Sequence, residues 1–343
     1  MDGSSFLMPI FGKAYLKCDF RLRKERDCVI LYVIIHPEAF IVELTDFQEK
    51  LQRNLPEITL RFSEPMSKHT SFRIGGPAAV MAFPKSEAEL ATLLKLSGKL
   101  DIKYYILGAG TNVLAPDEGL DSLVICLKDC LNGMEALQDG RVRFAAGVTM
   151  SRAAVFAASL GLSGLEFAHG IPGTVGGGVY MNAGAYGGEI SQVCVSVDVM
   201  NADGDICTYT RDEMQFGYRH SSLQERGGIV AGAVFQLTPS SADTVKRTMK
   251  ELQTKRLASQ PLEFPSAGSA FKRPVGGYAA ALIDHAGLRG FQVGKAGIAQ
   301  KHAGFAINLG GATAKDMREL LAQVSERVYA DSGIRLEPEI RIW

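Results

Sequence analysis

Glycine-rich segments that also carry hydroxyl, amide and aromatic side chains are the parts of this chain best suited to bind a ligand. Residues 161–190 contain ten of the 37 glycines of the chain, and they also contain Val175, Tyr180 and Tyr186. Apolar and aromatic residues are uncommon in flexible linkers, so this segment is expected to fold. Because glycine lets the backbone approach a ligand closely, the segment predicts a binding surface for a large cofactor.

A shorter glycine loop lies earlier in the chain and can offer backbone N–H groups and two polar side chains to a diphosphate. This first glycine loop consists of Gly108, Ala109, Gly110, Thr111 and Asn112. The third glycine of the dinucleotide fingerprint is missing, since Leu114 stands near that position. The residues that follow predict strand, turn and strand rather than a helix. An ordinary tight turn is the alternative interpretation of this loop.

A second glycine loop lies within residues 161–190 and adds a threonine hydroxyl. Its candidate cofactor residues are Gly170, Ile171, Pro172, Gly173, Thr174, Gly176 and Gly177, and the adjoining wall consists of Asn182, Ala183 and Gly184. Proline fixes φ, whereas the glycines permit positive φ and close approach. Two anion-binding surfaces on one α/β body predict a dinucleotide that spans two subdomains.

The elements that must position these loops alternate between strand and helix from Glu64 onward. PAAVMAFP predicts a strand, Ser86 caps an amphipathic helix, and YYIL predicts a buried strand that enters the first glycine loop. Further along, the residues 244–261 predict a charged helix and GYAAALIDHAGL an apolar one. The pattern over 312–334 predicts a long helix that ends at Gly333. These helices are expected to pack on the strands KHAGFAIN and LEPEIRIW as a separate C-terminal lobe.

Composition and charge exclude several classes of function. Lys plus Arg and Asp plus Glu both number 37, and no basic block is present, so nucleic-acid binding is not expected. The six histidines show no metal-ligand spacing, so no metal is expected. The six cysteines lack a CxxC pair and are expected to be reduced thiols. No secretory pattern is found, and the apolar run at 29–35 is too short to span a membrane, so a cytoplasmic protein without membrane insertion is expected.

The first 45 residues differ from the rest of the chain. Basic clusters surround the apolar, strand-like run at 29–35, and a capped helical pattern begins only at Thr45. The favoured interpretation is an upstream extension that contributes little to function, or even the product of a misassigned start. A strand that docks on the body is the alternative.

Seven segments carry a resemblance to a known family, and they occur in collinear order. They are KHTSFRIGG (68–76), ILGAGTNVL (106–114), GLSGLEFAHGIPGTVGGGVYMNAGAYGGEI (161–190), FGYRHS (216–221), SAGSAFKRP (266–274), GLRGFQVGKAGIAQKHAGFAIN (287–308) and LEPEI (336–340). From about Ser67 to the last residue the chain resembles the UDP-N-acetylenolpyruvoylglucosamine reductase family. Only the N-terminal extension lies outside this resemblance.

The resemblance implies an α+β fold with two parts. One is a two-subdomain FAD-binding domain of the vanillyl-alcohol-oxidase (PCMH) type, and the other is a C-terminal α+β substrate domain. The expected boundaries are an extension over 1–45, the FAD-binding domain over 46–240 with a break near 128, and the substrate domain over 241–343. FAD is expected between the subdomains, bound non-covalently by the two glycine loops, and a monomer is expected.

The resemblance also implies an activity in peptidoglycan precursor synthesis. NADPH would reduce FAD, which would then deliver hydride to C3 of UDP-N-acetylglucosamine enolpyruvate to give UDP-N-acetylmuramate. Such an addition leaves negative charge on C2 and the carboxylate, so the site needs a cation and a proton donor. Arg219 matches the family's carboxylate-binding arginine, Glu339 its enol-stabilising glutamate, and Ser269 its proton donor. Glu339 is expected on the last strand, a rigid element.

Further candidates for contact with the rest of the substrate are suggested by their side-chain chemistry and by their positions in or near these motifs. Arg256, Lys272 and Arg273 are candidates to receive the diphosphate or the nicotinamide phosphate. Tyr218 is a candidate for contact with the sugar, and a position in the core is its alternative. His302 and Asn308 lie in motif segments that are expected to face the core of the substrate domain.

The chain departs from the family pattern in two places. The interval between Arg219 and Ser269 has no room for the tyrosine-bearing loop that one subtype folds over its substrate, so the chain resembles the shorter second subtype. Ala109 and Thr111 stand where the family more often has glycine and serine. Neither change removes a donor from the loop.

Two other classes of function compete with this one. The first is an oxidase of alcohols or aldonolactones with the same fold, which often tethers FAD through a histidine, but the first glycine loop has no histidine. The second is a non-catalytic nucleotide-binding module, in which Arg219, Ser269 and Glu339 would be free to vary. The presence of all three in their expected segments favours the reductase.

Overall fold

The computed structural model of this chain describes residues 5–11, 14–25, 28–42, 45–128 and 130–343. It divides into two compact units, Met1–Asn54 and Leu55–Trp343.

The first unit contains an antiparallel sheet and one helix. In chain order its elements are β1 (Ser5–Phe11), β2 (Ala14–Glu25), β3 (Cys28–Val42) and α1 (Asp46–Asn54). The sheet has the order β1-β2-β3. The predicted strand at 29–35 lies within β3, and the predicted helix begins directly after Thr45, so both predictions are confirmed.

The second unit begins with a four-stranded sheet that carries the first glycine loop. Its elements are β4 (Thr59–Pro65), β5 (Pro77–Phe83), α2 (Glu87–Lys99), β6 (Tyr104–Leu107), β7 (Val113–Leu114) and β8 (Leu120–Cys126). The sheet order is β4-β5-β8-β6, and β6 lies at its edge. β6 and β5 both pair with β8 in parallel. The Ser86 side chain accepts a hydrogen bond from the N–H of Glu89, which confirms the predicted cap of α2.

A five-stranded antiparallel sheet follows and carries the second glycine loop. The elements of this region are β9 (Met134–Ala136), β10 (Arg141–Ala145), α3 (Met150–Ser159), β11 (Leu162–Ser163), α4 (Val175–Tyr180), β12 (Gly184–Ala185), β13 (Gly188–Glu189), β14 (Cys194–Met200), β15 (Ile206–Thr210), α5 (Leu223–Arg226) and β16 (Ile229–Gln236). The sheet order is β15-β14-β16-β10-β9. Phe144 anchors its core, because this buried ring lies 5.8 Å from the rings of both Phe156 and Phe235.

The C-terminal part is a small sheet packed with helices. Its elements are β17 (Thr238–Pro239), α6 (Ala242–Ser259), β18 (Ser266–Ser269), α7 (Ala279–His285), β19 (Gln292–Val293), β20 (Ala296–Ile298), β21 (Phe305–Asn308), α8 (Ala314–Ser332) and β22 (Arg341–Ile342). The sheet order is β18-β21-β20-β19. The three predicted helices are present, but the prediction that all of them pack on the C-terminal strands is wrong for α6, which packs instead against α3 and β11. Gly333 ends α8 in the left-handed conformation with φ of 72°.

Strand pairing and a helix cap are among the contacts that join this C-terminal part to the region of the first glycine loop. β22 pairs in parallel with β7, which directly follows that loop. Asp117 lies in the turn after β7, and its carboxylate accepts hydrogen bonds from the N–H groups of Ala314 and Lys315 at 2.7 and 3.0 Å. A carboxylate at this end of α8 satisfies otherwise unpaired donors and complements the helix dipole.

The prediction that Glu339 lies on the last strand is wrong. β22 begins only at Arg341, and Glu339 lies in irregular backbone just before it. The local cause is Pro338, which cannot donate to a strand ladder and forms only an isolated bridge with Phe271. Glu339 is nevertheless held, because tertiary hydrogen bonds described below replace the ladder.

The described part of the chain contains no helix with the length and apolar composition that crossing a membrane requires. Within the same residues, no group of three or more His, Cys, Asp and Glu side chains is arranged to hold a metal ion.

Candidate functional site

A deep cleft of about 1330 Å³ lies within the second unit. Both glycine loops line it, together with β18 and the segment that contains Glu339. Pockets for drug-sized ligands usually have volumes of roughly 300–1,000 Å³. The cleft therefore has room for a large cofactor and part of a substrate.

The first glycine loop is held in a fixed shape by the segment before it. The N–H of Ser71 donates to the carbonyl oxygen of Gly110 at 2.9 Å. Gly110 has φ of +62°, and a Cβ there would lie 2.0 Å from the carbonyl oxygen of His69. Only glycine fits this position, because any side chain would clash with backbone.

The two glycine loops contact each other directly. The Thr111 hydroxyl donates to the carbonyl oxygen of Pro172 at 3.1 Å. A Cβ on Gly173, where φ is +135°, would lie 3.2 Å from Thr111 Oγ1, and a Cβ on Gly108 would lie 2.7 Å from Thr174 Oγ1. The absence of side chains therefore lets the two loops approach closely along one wall of the cleft.

Fourteen of the fifteen predicted cofactor residues line the cleft, and Asn182 does not. The Asn182 side chain is buried, where its Nδ2 donates to the carbonyl oxygen of Gly217 and its Oδ1 accepts from the N–H of Ser191, both at 2.9 Å. Its amide is therefore occupied in joining three segments of backbone. Its neighbours Ala183 and Gly184 do line the cleft.

The residues present fit the FAD that the sequence implies. Besides the glycine cradle, the cleft is lined by three residues with a buried polar atom that has no partner among the described residues. These atoms are Ser71 Oγ, His169 Nδ1 and Glu339 Oε2. Buried polar groups are rarely left unpaired in native proteins. Ligand atoms in the cleft would give these groups the partners that they lack.

Arg219 and Glu339 form an ion pair on the cleft wall. Arg219 Nε lies 2.5 Å from Glu339 Oε1, and both side chains are largely buried, with 20% and 12% of their surface exposed. Arg219 follows Tyr218 in a two-residue turn closed by Gly217 and His220. Its φ of +56° is uncommon for a residue with a side chain. A second bond, from Arg219 Nη2 to the carbonyl oxygen of Gly184, helps to fix the guanidinium.

Glu339 is anchored through its main chain as well as its carboxylate. Its N–H donates to the carbonyl oxygen of Ala270 at 2.9 Å, and its carbonyl oxygen accepts from Asn112 Nδ2 at 3.1 Å. Burial raises the pKa of the Glu339 carboxyl above its ordinary value, and the positive charges of Arg219 and Lys272 oppose that shift. Such a group keeps its proton to higher pH than an exposed glutamate does.

Ser269 lies on the cleft at the end of β18. It pairs with Phe305 of β21, and the next residue, Ala270, accepts the hydrogen bond from the N–H of Glu339. Within the described ranges the structure gives its hydroxyl no hydrogen-bond partner, so Oγ is available to a ligand. The structure thus brings Ser269, Arg219 and Glu339 to one cleft from three distant segments.

Tyr218 and Arg273 stand outside the lining of the cleft, on the surface beside Arg219. Tyr218 is 49% exposed, so it does not belong to the core. The N–H of Arg273 donates to Tyr218 Oη at 3.1 Å, and the guanidinium lies 4.5 Å from the ring centroid of Tyr278. Lys272 is engaged elsewhere, since its Nζ lies 2.5 Å from Glu337 Oε1.

Arg256 is the one predicted substrate residue that lines the cleft. It is only 6% exposed, and its Cζ lies 5.7 Å from the ring centroid of Tyr186. Burial lowers the pKa of the Arg256 guanidinium, and Tyr186 opposes that shift. Its Nε lies 2.6 Å from the place where a Cβ of Gly170 would stand, so this glycine makes room for the arginine.

The two remaining motif residues have different roles in the structure. The Asn308 amide is buried, donating to the carbonyl oxygen of Phe72 and accepting from the N–H groups of Gly310 and Ala312. It therefore shapes the junction between lobes. His302 does not line the cleft, but it packs against Phe305, which does, and burial lowers the pKa of His302.

The sequence did not identify Tyr180, Arg341 and Trp343 as residues of the cleft. The Arg341 guanidinium donates to Tyr180 Oη at 3.3 Å, and Trp343 stacks on Tyr105 with ring centroids 4.8 Å apart. Tyr180, Arg341 and Trp343 all line the cleft. The only signal in the sequence was the position of Tyr180 in the glycine-rich segment and of the others just after LEPEI.

Two parts of the chain match described protein families. Residues 77–210 match the family described as FAD binding domain. Residues 260–343 match the family described as UDP-N-acetylenolpyruvoylglucosamine reductase, C-terminal domain. The first match contains the first glycine loop and the second glycine loop, and the second contains Ser269 and Glu339.

Whole-chain relatives give the same result. The UDP-N-acetylenolpyruvoylglucosamine reductase of Agathobacter rectalis is 44% identical over 307 residues, which cover 86% of this chain and 98% of that protein. The reductase of Latilactobacillus sakei is 45% identical over 287 residues, covering 83% and 93%. The crystal structure of UDP-N-acetylenolpyruvylglucosamine reductase from Thermus caldophilus superposes with a TM-score of 0.70 at 35% identity, covering 84% of this chain and 99% of that one.

Proposed function

Because the chain belongs to the UDP-N-acetylenolpyruvoylglucosamine reductase family, we propose that it reduces UDP-N-acetylglucosamine enolpyruvate to UDP-N-acetylmuramate with NADPH. It is an oxidoreductase of that family and contains its FAD-binding domain. The observation that carries the proposal is the buried pair of Arg219 and Glu339, which shares a cleft with Ser269.

The two glycine loops are the residues that hold FAD. Their backbone N–H groups suit a diphosphate, and the cleft between them continues to β18. When bound, FAD would supply the redox chemistry that couples NADPH to reduction of the enolpyruvyl double bond.

Arg219 and Glu339 stabilise the charge that develops on the substrate. The planar guanidinium of Arg219 can donate two parallel hydrogen bonds to the enolpyruvyl carboxylate. Glu339 Oε1 is already used by Arg219, so Oε2 is the atom that faces no protein partner among the described residues. Burial raises the pKa of Glu339 and so favours its protonated form, from which Oε2 can donate to the enol that forms.

Ser269 completes the reaction by donating its hydroxyl proton to C2. A serine is a weak acid, but the carbon that it protonates is a strong base, so a positioned hydroxyl is sufficient. General acid catalysis of this kind contributes roughly 10²–10⁴-fold in rate. Solvent then returns a proton to Ser269.

Binding of the uridine diphosphate and of NADPH falls to the cationic residues around the cleft. Arg256, Lys272 and Arg273 receive the diphosphate or the nicotinamide phosphate, and Tyr218 contacts the sugar. The buried guanidinium of Arg256 on the cleft wall supports its part in this assignment. We place the reaction in cytoplasmic peptidoglycan precursor synthesis by a monomer, with an FAD-binding domain over 46–240 and a substrate domain over 241–343.

An anaerobic half-reaction experiment tests this function. The protein is loaded with FAD, reduced with NADPH, and mixed with UDP-N-acetylglucosamine enolpyruvate while the blue absorbance band of the flavin is followed. Return of the band, with UDP-N-acetylmuramate as product, is the expected result. A band that returns only with oxygen would instead favour an oxidase, and failure to bind FAD would overturn the proposal.

The Ser269→Ala variant separates proton transfer from hydride transfer. In buffer made with deuterium oxide, the wild type places deuterium at C2 on one face. The variant is expected to lose about 10²-fold or more in the rate of product formation. Ser266→Ala is the matched control, because Ser266 also lies on β18 and donates to the carbonyl oxygen of Ala306.

A further inference from the structure

The main chain of Glu339 is held at both its N–H and its carbonyl oxygen. Its N–H donates to the carbonyl oxygen of Ala270, the residue after Ser269, at 2.9 Å. Its carbonyl oxygen accepts from Asn112 Nδ2 at 3.1 Å. Because Glu339 precedes β22 and has no strand pairing of its own, these two hydrogen bonds fix the position of its main chain instead.

Asn112 holds this segment by more than one bond. Its own carbonyl oxygen accepts from the N–H of Arg341 at 3.0 Å, so Asn112 binds the residues on both sides of Ile340. Ile340 is 4% exposed and belongs to the core cluster that contains Leu114. The parallel pairing of Val113 with Arg341 continues from this point.

These main-chain bonds affect the site because the carboxylate of Glu339 binds Arg219, which lies on a separate turn of the chain. Arg219 lies 120 residues earlier on a turn with positive φ, and its guanidinium is also bonded to the carbonyl oxygen of Gly184. A misplacement of about 1 Å at a catalytic group can cost about 10²-fold in rate. The main-chain anchors of Glu339 therefore bear directly on the geometry of the ion pair.

We infer that Asn112 is a positioning residue that joins the first glycine loop to the carboxylate at Glu339. From the sequence, Asn112 was predicted only to bind the cofactor. The structure shows that one N–H of its amide is bonded to Glu339, so the end of the loop that binds FAD also sets the place of the glutamate. This inference rests on the proposed function, because it concerns the step in which Glu339 acts.

A double-mutant cycle tests the inference with the FAD-saturated protein. The variants Asn112→Ala, Glu339→Gln and their combination are reduced anaerobically and mixed with UDP-N-acetylglucosamine enolpyruvate. Asn112→Ala is expected to slow return of the flavin band by about tenfold, in line with loss of one hydrogen bond and some displacement. In the Glu339→Gln background the same change is expected to slow it less than about twofold.

Equal factors in both backgrounds would overturn the inference, because Asn112 would then act independently of Glu339. So would an unchanged rate in Asn112→Ala. Asn112→Ser, whose side chain is too short to reach Glu339, repeats the cycle in case the alanine variant fails to fold. Asn201→Ala is the control, because the Asn201 side chain also bonds to backbone, its Oδ1 accepting from the N–H of Asp205, in a turn outside the cleft.

The wild type distinguishes failure of the inference from failure of the proposed function. If the reduced wild-type flavin is not reoxidised by the enolpyruvyl substrate, the proposed function is wrong and the inference falls with it. If the wild type reacts normally and the two factors are equal, only the inference is wrong.

Discussion

Arg219 Nε and Glu339 Oε1 meet at 2.5 Å across 120 residues of sequence, and the second carboxylate oxygen of Glu339 is buried without a partner among the described residues. One oxygen thus binds a fixed cation while the other remains available to a ligand. A structural ion pair would be expected to satisfy both oxygens when it is buried. The incomplete pairing supports a role in catalysis.

Replacement of Glu339 by glutamine is expected to slow reoxidation of the flavin by the enolpyruvyl substrate by about 10²-fold or more. The amide of the variant would keep an oxygen for Arg219 but would lack the acidic proton that we propose stabilises the enol. Stopped-flow absorbance under anaerobic conditions measures this rate. An equal slowing of flavin reduction by NADPH would contradict the assignment, because it would indicate general damage to the cleft.

The same variant is expected to show a pH-dependent difference in thermal stability. Burial raises the pKa of Glu339 above 4.5, so the folded protein binds this proton more tightly than the unfolded chain does. The resulting stabilisation is complete below about pH 4.5 and is lost as pH rises through the folded pKa. The melting temperature of Glu339→Gln minus that of the wild type should therefore increase with pH. A constant difference would argue against a raised pKa.

Alanine substitution at Gly110 is expected to destabilise the second unit by about 2 kcal/mol or more. A Cβ would lie 2.0 Å from the carbonyl oxygen of His69 at a positive φ, so backbone would have to move. Gly98→Ala is the control, because Gly98 lies in α2 with nothing within 4 Å of its added Cβ. There alanine should stabilise by about 0.5–1 kcal/mol. Urea unfolding measures both, and similar effects at the two sites would refute the argument.

Removal of the Asp117 carboxylate is expected to loosen the N-terminus of α8. Asp117→Ala should cost about 1 kcal/mol, because the N–H groups of Ala314 and Lys315 would lose their acceptors. Hydrogen exchange at these two amides reports on opening of the N-terminus of α8, which a measurement of global unfolding does not resolve. Glu118→Ala, an exposed neighbour, should change neither quantity, and unaltered exchange in Asp117→Ala would show that the cap is dispensable.

The sequence predicted those features that are determined by neighbouring residues. Ser86 caps the start of α2 and Gly333 the end of α8, as expected, since a cap depends on residues within one turn. The two glycine loops were found for the same reason, because composition alone indicates where backbone can approach a ligand. The family inferred from the collinear motifs, and with it the α+β fold class, is confirmed by the family and structure matches.

The features that failed or escaped prediction depend on contacts between distant segments. Glu339 was expected on a strand, but its position is set by Ala270 and by Asn112, which lies 227 residues away. The amide of Asn182 was assigned to the cofactor, whereas two backbone groups of other segments occupy it. No local periodicity or spacing carries information about such partners. The roles of the individual site residues and the domain boundaries stay predictions.

The stacking of Trp343 on Tyr105 holds a fluorescent side chain at the cleft, so its emission can report on binding there. Trp343 is the single tryptophan of the chain, and it lines the cleft that the cofactor is expected to enter. All indole emission therefore originates at the wall of this cleft, where a bound flavin would be expected to quench it. Loading of the cleft can be followed by the quenching of intrinsic fluorescence, without a label and without any turnover.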